Sequence, residues 1–285
     1  MLKNTIEIDQ NKCTVCGNCI KVCPGKTLEI VDNTVEQTKP RSCISCGHCA
    51  AICPEDAIIS LNDNPKSFTA QIYEDGLNDV EKLLIGKRSV REYRKKDIDK
   101  SMLGNFIHYA EKAPSSSNKR KREYIVITDK DKILELEKVI LKKFNSLKII
   151  INPFVSNLIK IFNKKLANNI LTLKDGIDQM NTDFDNTDYQ IFRTAPCIIF
   201  ILGPKKAPQA KDDCVIAQQY MMLYAQSHGI ASCIIGYAQF AHKTLEKILK
   251  VKKGYSIYAV SIFGYPKYTY KKEINYINPP LTTWI

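Results

Sequence analysis

No stretch of this sequence is apolar for long enough to cross a bilayer. The longest candidate, residues 148–162, is interrupted by Asn152, Pro153, Ser156, Asn157 and Lys160, whereas a spanning helix needs about 20 predominantly apolar residues. No apolar run of the export type precedes the first cysteines, which points to a reducing cytoplasm and away from a disulfide framework. No Gly-x-Gly-x-x-Gly follows a strand-like run, so a Rossmann nucleotide site is not indicated. Arginine is scarce, with 35 lysines against 7 arginines. The formal net charge of +12 would by itself suggest nucleic acid. Base reading favours arginine, however, and no helix-turn-helix, zinc-finger or aromatic stacking pattern accompanies the charge. Neither nucleic acid nor a membrane is an expected partner. His108, His228 and His242 stand outside any motif and read as structural or surface residues, and Trp284 is the only tryptophan.

Cysteine, by contrast, is plentiful and ordered. Eight of the 11 cysteines fall within residues 13–53. Cys13, Cys16, Cys19 and Cys23 lead into Pro24, and Cys43, Cys46, Cys49 and Cys53 lead into Pro54, each cysteine recurring 30 positions later. Both runs read C-x-x-C-x-x-C-x-x-x-C-P. Three thiolates at this spacing reach one small iron–sulfur cube only if a tight loop wraps it, its backbone N–H groups facing the anionic sulfides. Gly17 and Gly47 permit the backbone angles of such a loop, and the proline after the fourth cysteine blocks simple helical continuation. Zinc usually takes two spaced pairs, which leaves a third evenly spaced cysteine in each run as surplus. Residues 1–62 resemble a bacterial ferredoxin with two 4Fe–4S clusters. In that pattern the fourth cysteine of each run serves the other cluster. One cluster is then assigned to Cys13, Cys16, Cys19 and Cys53, and the second to Cys43, Cys46, Cys49 and Cys23. His48 falls in the second cluster loop, where it would tune the cluster without ligating iron. Short strands are expected near residues 5–8, 28–31 and 57–61. Cys197, Cys214 and Cys233 lie in apolar surroundings and read as buried small hydrophobes.

The polar, proline-broken Asn62-Asp63-Asn64-Pro65-Lys66 marks the end of the small domain. The expected organisation is a domain over 1–64, a linker over 65–76 and a second domain over 77–285. The second domain opens on a helical pattern in which Leu77, Val80, Leu83 and Leu84 recur at three- and four-residue steps. A helix over 98–112 follows, then a serine-rich turn and a strand over 124–128. Residues 130–193 are rich in lysine and asparagine and mostly helical in pattern; they form either a lid or variable insertion, or plain packing helices. Strands are expected over 197–202 and 257–263, with helices over 214–228 and 243–250 between them. Helices alternating with a few strands make a layered domain of mixed class.

Four stretches of this domain, in order, resemble the nitroreductase family of flavin oxidoreductases. They are Lys87-Arg88-Ser89-Val90-Arg91; Ala113-Pro114-Ser115-Ser116-Ser117-Asn118; residues 213–229 followed by Ile234-Ile235-Gly236-Tyr237; and Gly254-Tyr255 leading to Gly264-Tyr265-Pro266, with Tyr270-Lys271-Lys272 after it. The resemblance implies an α+β chain: a small ferredoxin-like two-cluster domain fused to a three-layer α/β nitroreductase-like FMN domain. It implies that Lys87, Arg88, Ser89 and Arg91 hold the phosphate and ribityl end of FMN, with Lys271 or Lys272 completing phosphate binding. Ser117 and Asn118 would lie at the flavin's pyrimidine edge, and the backbone N–H groups of Ile235 and Gly236 would approach the ring near N5. The family commonly carries a Gln two residues after the Asn; here the positions read Arg120, Lys121 and Arg122, and Arg120 would meet the reduced ring or an acidic substrate. The implied function is electron transfer through two 4Fe–4S clusters to FMN and on to a nitroaromatic, quinone or enone-like acceptor. Reduced ferredoxin or NAD(P)H would be the donor, and FMN would sit at the interface of a homodimer. The competing reading is a non-catalytic iron–sulfur carrier or redox sensor whose second domain is a flavin-free docking module.

Overall fold

The computed structural model describes residues 5–60, 68–72, 76–148, 177–178, 181–182, 184–185, 191–276 and 281–285. The chain divides into two compact units, one of Met1–Gly86 with Tyr268–Ile285, the other of Lys87–Lys267.

In the first unit, β1 (Ile6–Ile8) pairs antiparallel with β4 (Ile58–Ser60), and β2 (Leu28–Val31) with β3 (Thr34–Gln37). The β2–β3 hairpin turns on Asp32 and Asn33, both at positive φ (45° and 62°). These short polar residues tolerate that region, and a two-residue turn of this hand matches the twist of the strands. Two single-turn helices, α1 (Asn18–Val22) and α2 (His48–Ile52), pack against each other. Ile6, Cys19, Leu28, Val35 and Cys49 make the small core. The three expected strands form within a residue or two of their expected places; β3 is additional, its four residues too short for a period to stand out.

The linker expected over 65–76 is corrected in part. Residues 68–72 form β5 (Phe68–Ile72), which pairs antiparallel along its length with β10 (Lys272–Tyr276). The C-terminal segment therefore groups with the small domain and not with the second one. A strand whose partner lies 200 residues away leaves little local trace, because the stabilising contacts are all long-range. The helix expected from Leu77 forms as α3 (Asp79–Gly86). Asn78 and Glu81 close a capping box at its start: the Asn78 N–H donates to the Glu81 carboxylate at 2.7 Å and the Glu81 N–H to Asn78 Oδ1 at 2.9 Å. Its apolar steps do not form core, since Val80 and Leu84 are exposed.

In the second unit a four-stranded antiparallel sheet runs in the order β6 (Glu123–Ile127), β7 (Cys197–Pro204), β9 (Tyr255–Gly264), β8 (Ala231–Ile234). Seven consecutive residues of β7 are buried, as expected of a strand covered on both faces. On one face, Cys197, Ile199 and Ile201 pack with Phe106 and Ala110 of α4 (Lys100–Ala110) and with Met221 of α6 (Ala210–Ser227). Ile198, Phe200 and Leu202 alternate to the other face. There α7 (Gly236–Phe240) and α8 (His242–Ile248) pack on β9, and α5 (Lys130–Lys148) packs on α8. Three layers result, as the resemblance implies. Glu137 of α5 is fully buried, its carboxylate accepting the N–H groups of Ile191 at 2.9 Å and Phe192 at 2.5 Å. Of the lid or insertion expected over 130–193, the first part is α5; most of the rest lies outside the described residues. Cys197, Cys214 and Cys233 are buried as expected, and burial pushes the first two thiols up to about 12.

Candidate functional site

The eight N-terminal cysteines assemble as two sets. Cys13, Cys16, Cys19 and Cys53 line one cavity; Cys23, Cys43, Cys46 and Cys49 line another. Each grouping takes three cysteines from one run and the fourth from the other. The two loops repeat one backbone form, with Val15 and Gly17 at φ 54° and 70°, and Ser45 and Gly47 at 53° and 70°. Left-handed turns of this kind fold the chain round a centre, and glycine adopts them without strain. Burial, then the neighbouring Cys53, Cys16 and Cys13, push the Cys19 thiol up to about 11, partly opposed by a hydrogen bond from the Ile20 backbone. Burial, then Cys46, Cys23 and Cys43, push Cys49 up as well. Thiols crowded in this way ionise readily only around a cationic centre. Among the described residues, no three His, Cys, Asp or Glu side chains close on a position for one metal ion. Four thiols set round a cavity fit the separated iron corners of a cluster better than the close shell of a single zinc.

The basic run lies along the edge of β8. Ser89 bridges Ser232, and the Val90 N–H donates to the Ser232 carbonyl at 3.2 Å. Tyr93 anchors the run, with its hydroxyl on the Val90 carbonyl at 2.6 Å and its ring against Gly264, where a Cβ would meet the ring at 2.7 Å. The Lys87 ammonium is half-buried and donates to the carbonyls of Arg88 (2.9 Å) and Ser232 (3.4 Å). Burial, with smaller contributions from the Arg88 and Arg91 cations, lowers its pKa to about 8, while Cys233 acts the other way. Three cations thus share one short segment. Beside them the buried Ser232 hydroxyl has no hydrogen-bond partner among the described residues. Gly236 follows β8 as the first residue of α7, where the backbone N–H has no intrahelical acceptor, and a Cβ there would project into open space. Cations, an unused hydroxyl and an open backbone edge fit an anionic, flat cofactor.

The serine turn is held at the start of α6. The Ser116 N–H donates to Asp213 Oδ1 at 2.8 Å, and Ser117, Asn118 and Arg120 take positive φ values of 52°, 52° and 46°. Arg120 Nε donates to Asn118 Oδ1 at 2.9 Å, so the arginine in place of the family's usual Gln holds the carbonyl end of the amide assigned to the flavin. Arg122 has a different task. Its guanidinium is buried and donates to the carbonyls of Ala113 (3.0 Å), Pro114 (3.2 Å) and Asp213 (3.3 Å) and to the Glu111 carboxylate (3.2 Å). It fastens the end of α4 and the serine turn to α6, a role that a run of three basic residues gave no sign of.

Two of the residues assigned to FMN are engaged elsewhere. The Ile235 N–H donates to the Val260 carbonyl at 3.0 Å, within the sheet, which leaves Gly236 as the backbone donor at that corner. Lys272 is buried in the first unit, with Nζ on the Cys53 carbonyl at 2.6 Å and on the Asp56 carboxylate. Lys271, its neighbour, is exposed. His48 is buried in its cluster loop, with Nδ1 3.5 Å from the Tyr270 hydroxyl. Among the described residues, no helix is long and apolar enough to cross a membrane.

Comparison with known proteins agrees with this division. A 4Fe–4S dicluster domain matches residues 5–54, and the nitroreductase family matches residues 84–265. A nitroreductase with bound FMN from Bacteroides fragilis NCTC 9343 is 22% identical over 67% of this chain and 89% of its own, with a TM-score of 0.51. A nitroreductase with bound FMN from Desulfitobacterium hafniense DCB-2 is 20% identical over 73% of this chain and 99% of its own (TM-score 0.51). An FMN-dependent nitroreductase from Clostridium difficile R20291 is 17% identical over the same shares, with a TM-score of 0.53. At these identities the likeness establishes the fold. No curated protein matches the chain significantly. The family match takes in more than half of the sequence, and the chain belongs to the nitroreductase family, an oxidoreductase with a 4Fe–4S dicluster domain ahead of the family fold.

Proposed function

We propose that the chain is an FMN-dependent oxidoreductase that draws electrons through two 4Fe–4S clusters and delivers them to a small organic acceptor of the nitroaromatic, quinone or enone type. The observation that carries this reading is the Lys87 cradle: a half-buried ammonium with two neighbouring guanidinium groups and an unpartnered buried hydroxyl, in the same chain as two four-thiol cavities. Lys87, Arg88, Ser89 and Arg91 hold the FMN phosphate by charge-assisted hydrogen bonds. Gly236 lets the ring come close to backbone, and Ser117 and Asn118 bind its pyrimidine edge. Bound FMN supplies the exchange between single electrons and a hydride at N5, a chemistry the protein positions but does not itself perform. Reduced ferredoxin or NAD(P)H is the donor.

A second copy of the chain completes the site. Ile216 and Tyr220, one turn apart on α6, are exposed, as are Leu281, Trp284 and Ile285 at the C-terminal end. Apolar surface of this kind favours a homodimer.

The rival reading, an iron–sulfur carrier or redox sensor without flavin, draws on the Arg120–Asn118 hydrogen bond, which occupies the amide oxygen assigned to the flavin. Anaerobic purification separates the two. The enzyme reading expects brown cluster absorption together with yellow, fluorescent FMN released on denaturation, and bleaching of the flavin by a donor. Failure to retain any flavin after reconstitution with FMN leaves the carrier reading in its place.

A further inference from the structure

The C-terminal ribbon lies with one face on the second cysteine run, at both its loop and its last cysteine. Along β10 alternate residues point the same way, and the alternation runs back to Tyr270. The Tyr270 ring lies 5.2 Å from that of His48, centroid to centroid. Lys272 Nζ donates to the Cys53 carbonyl at 2.6 Å and pairs with Asp56. Ile274 covers Gly47 so closely that a Cβ there would meet it at 2.8 Å. Lys271, between Tyr270 and Lys272, and Asn275, after Ile274, are exposed, and Glu273 is half-buried. Cys53 belongs to the first thiol set, while Gly47 and His48 belong to the loop of the second. The side chain of Lys272 is only 7% exposed, against 63% for its partner Asp56.

We propose that Lys272 is a positioning residue for the cluster held by Cys13, Cys16, Cys19 and Cys53, fixing the Cys53 backbone through its carbonyl and raising the reduction potential of that cluster over its neighbour. The proposal rests on the two-cluster reading. Reduction adds one negative charge to a cluster, and a buried cation beside a ligand stabilises that charge more than a solvated one does. Burial, net charge and hydrogen bonding round the ligands are the levers by which a protein sets such potentials. The ribbon sets the ammonium on the carbonyl of Cys53, a member of the first set, and lays the uncharged side chains of Tyr270 and Ile274 against the loop of the second. Asp56 opposes the ammonium, and its exposure weakens that opposition. The pair therefore acts as a net positive charge on one cluster, and the two clusters separate in potential.

The test is a redox titration of the anaerobically loaded full chain, with dithionite supplying one electron per cluster and electron paramagnetic resonance following each transition. Wild-type protein carrying fewer than roughly eight irons per chain overturns the two-cluster reading and leaves the tuning question without an object. With that iron content confirmed, Lys272→Met is expected to make one of the two transitions about tenfold less favourable, about 59 mV for a one-electron couple, with the other moving less than twofold. Lys272→Arg keeps both where they were. Asp56→Asn moves the same transition in the opposite direction. A Lys272→Met protein with both transitions unmoved, or with both moved equally, overturns the proposal. Should Lys272→Met fail to hold its iron, Asp56→Asn decides alone: an upward shift of one transition supports the tuning role, and an unchanged or lowered one overturns it.

Discussion

Replacing Lys87 with methionine is expected to weaken FMN binding without weakening the fold. Burial lowers the ammonium from its ordinary 10.5 to about 8. In the unfolded chain the same group keeps its proton up to about pH 10. Between these values the unfolded state binds the extra proton, so the flavin-free protein gains stability as pH rises from about 8 towards 10. The full difference corresponds to about 3 kcal/mol, and screening at a partly exposed side chain reduces it to about 2 kcal/mol. Below pH 8 the flavin-free fold therefore carries a charged group that it does not fully compensate. A bound phosphate reverses this, raising the pKa and taking up a proton. Wild-type affinity for FMN should accordingly fall as pH rises through about 8, approaching tenfold per pH unit. Lys87→Met removes a hydrogen bond to a charged group, worth about 1.5–3 kcal/mol, so its affinity at pH 7 should be about 10- to 100-fold weaker and its profile flat above pH 8. Its urea midpoint without flavin should equal or slightly exceed that of wild type, because the desolvated cation is gone. Flavin-stripped full-length protein titrated with FMN by calorimetry between pH 6.5 and 9.5, alongside urea melts, measures both quantities. A variant binding FMN within threefold of wild type, or a wild-type profile level through pH 8, would refute the placing of the phosphate at Lys87.

Arg122→Met should cost about 3 kcal/mol in urea unfolding, since it strands the buried Ala113 carbonyl and takes the guanidinium from the Glu111 carboxylate; Arg120→Gln, exposed and two residues away, should stay within about 0.5 kcal/mol. A loss at Arg122 no larger than that at Arg120 would show that the buried guanidinium does not fasten the turn. Gly47→Ala should cut the iron retained after anaerobic gel filtration, because it combines a φ of 70° with a clash on Ile274. Gly17→Ala meets the same φ and nothing within 4 Å, so only the backbone cost of about 1 kcal/mol applies, and its iron content should fall less. Equal losses from the two would deny any role to Ile274. Glu137→Gln turns an N–H donor towards one of the two backbone donors of Ile191 and Phe192 and should lower stability by about 2 kcal/mol, measured by the shift in urea midpoint at unchanged slope.

The readable parts of the sequence are those whose physics is local. Strand β7 announces itself as an unbroken apolar run and β9 as a mostly apolar one interrupted by Ser261, and the cysteine spacing encodes a loop that can close only on a small centre. The parts that escaped notice depend on distant partners. β5 looked like a connector because its ladder is completed by residues 272–276. Ile235 looked available because nothing nearby in sequence signals that Val260 takes its N–H. Lys272 read as a phosphate ligand and Arg122 had no reading of its own, since a buried cation differs from an exposed one only in what surrounds it.

From composition and spacing alone the chain was legible as two iron–sulfur loops followed by a layered α/β fold with a basic segment at its start. The grouping of the cysteines came with the ferredoxin resemblance; tertiary structure brings the fourth thiol of each cavity across from the other run. It also decided how the two lysines after Tyr270 divide. Lys272 turns inward to Cys53 while Lys271 stays outside, since adjacent residues of an extended chain face opposite sides and only packing determines which side is buried.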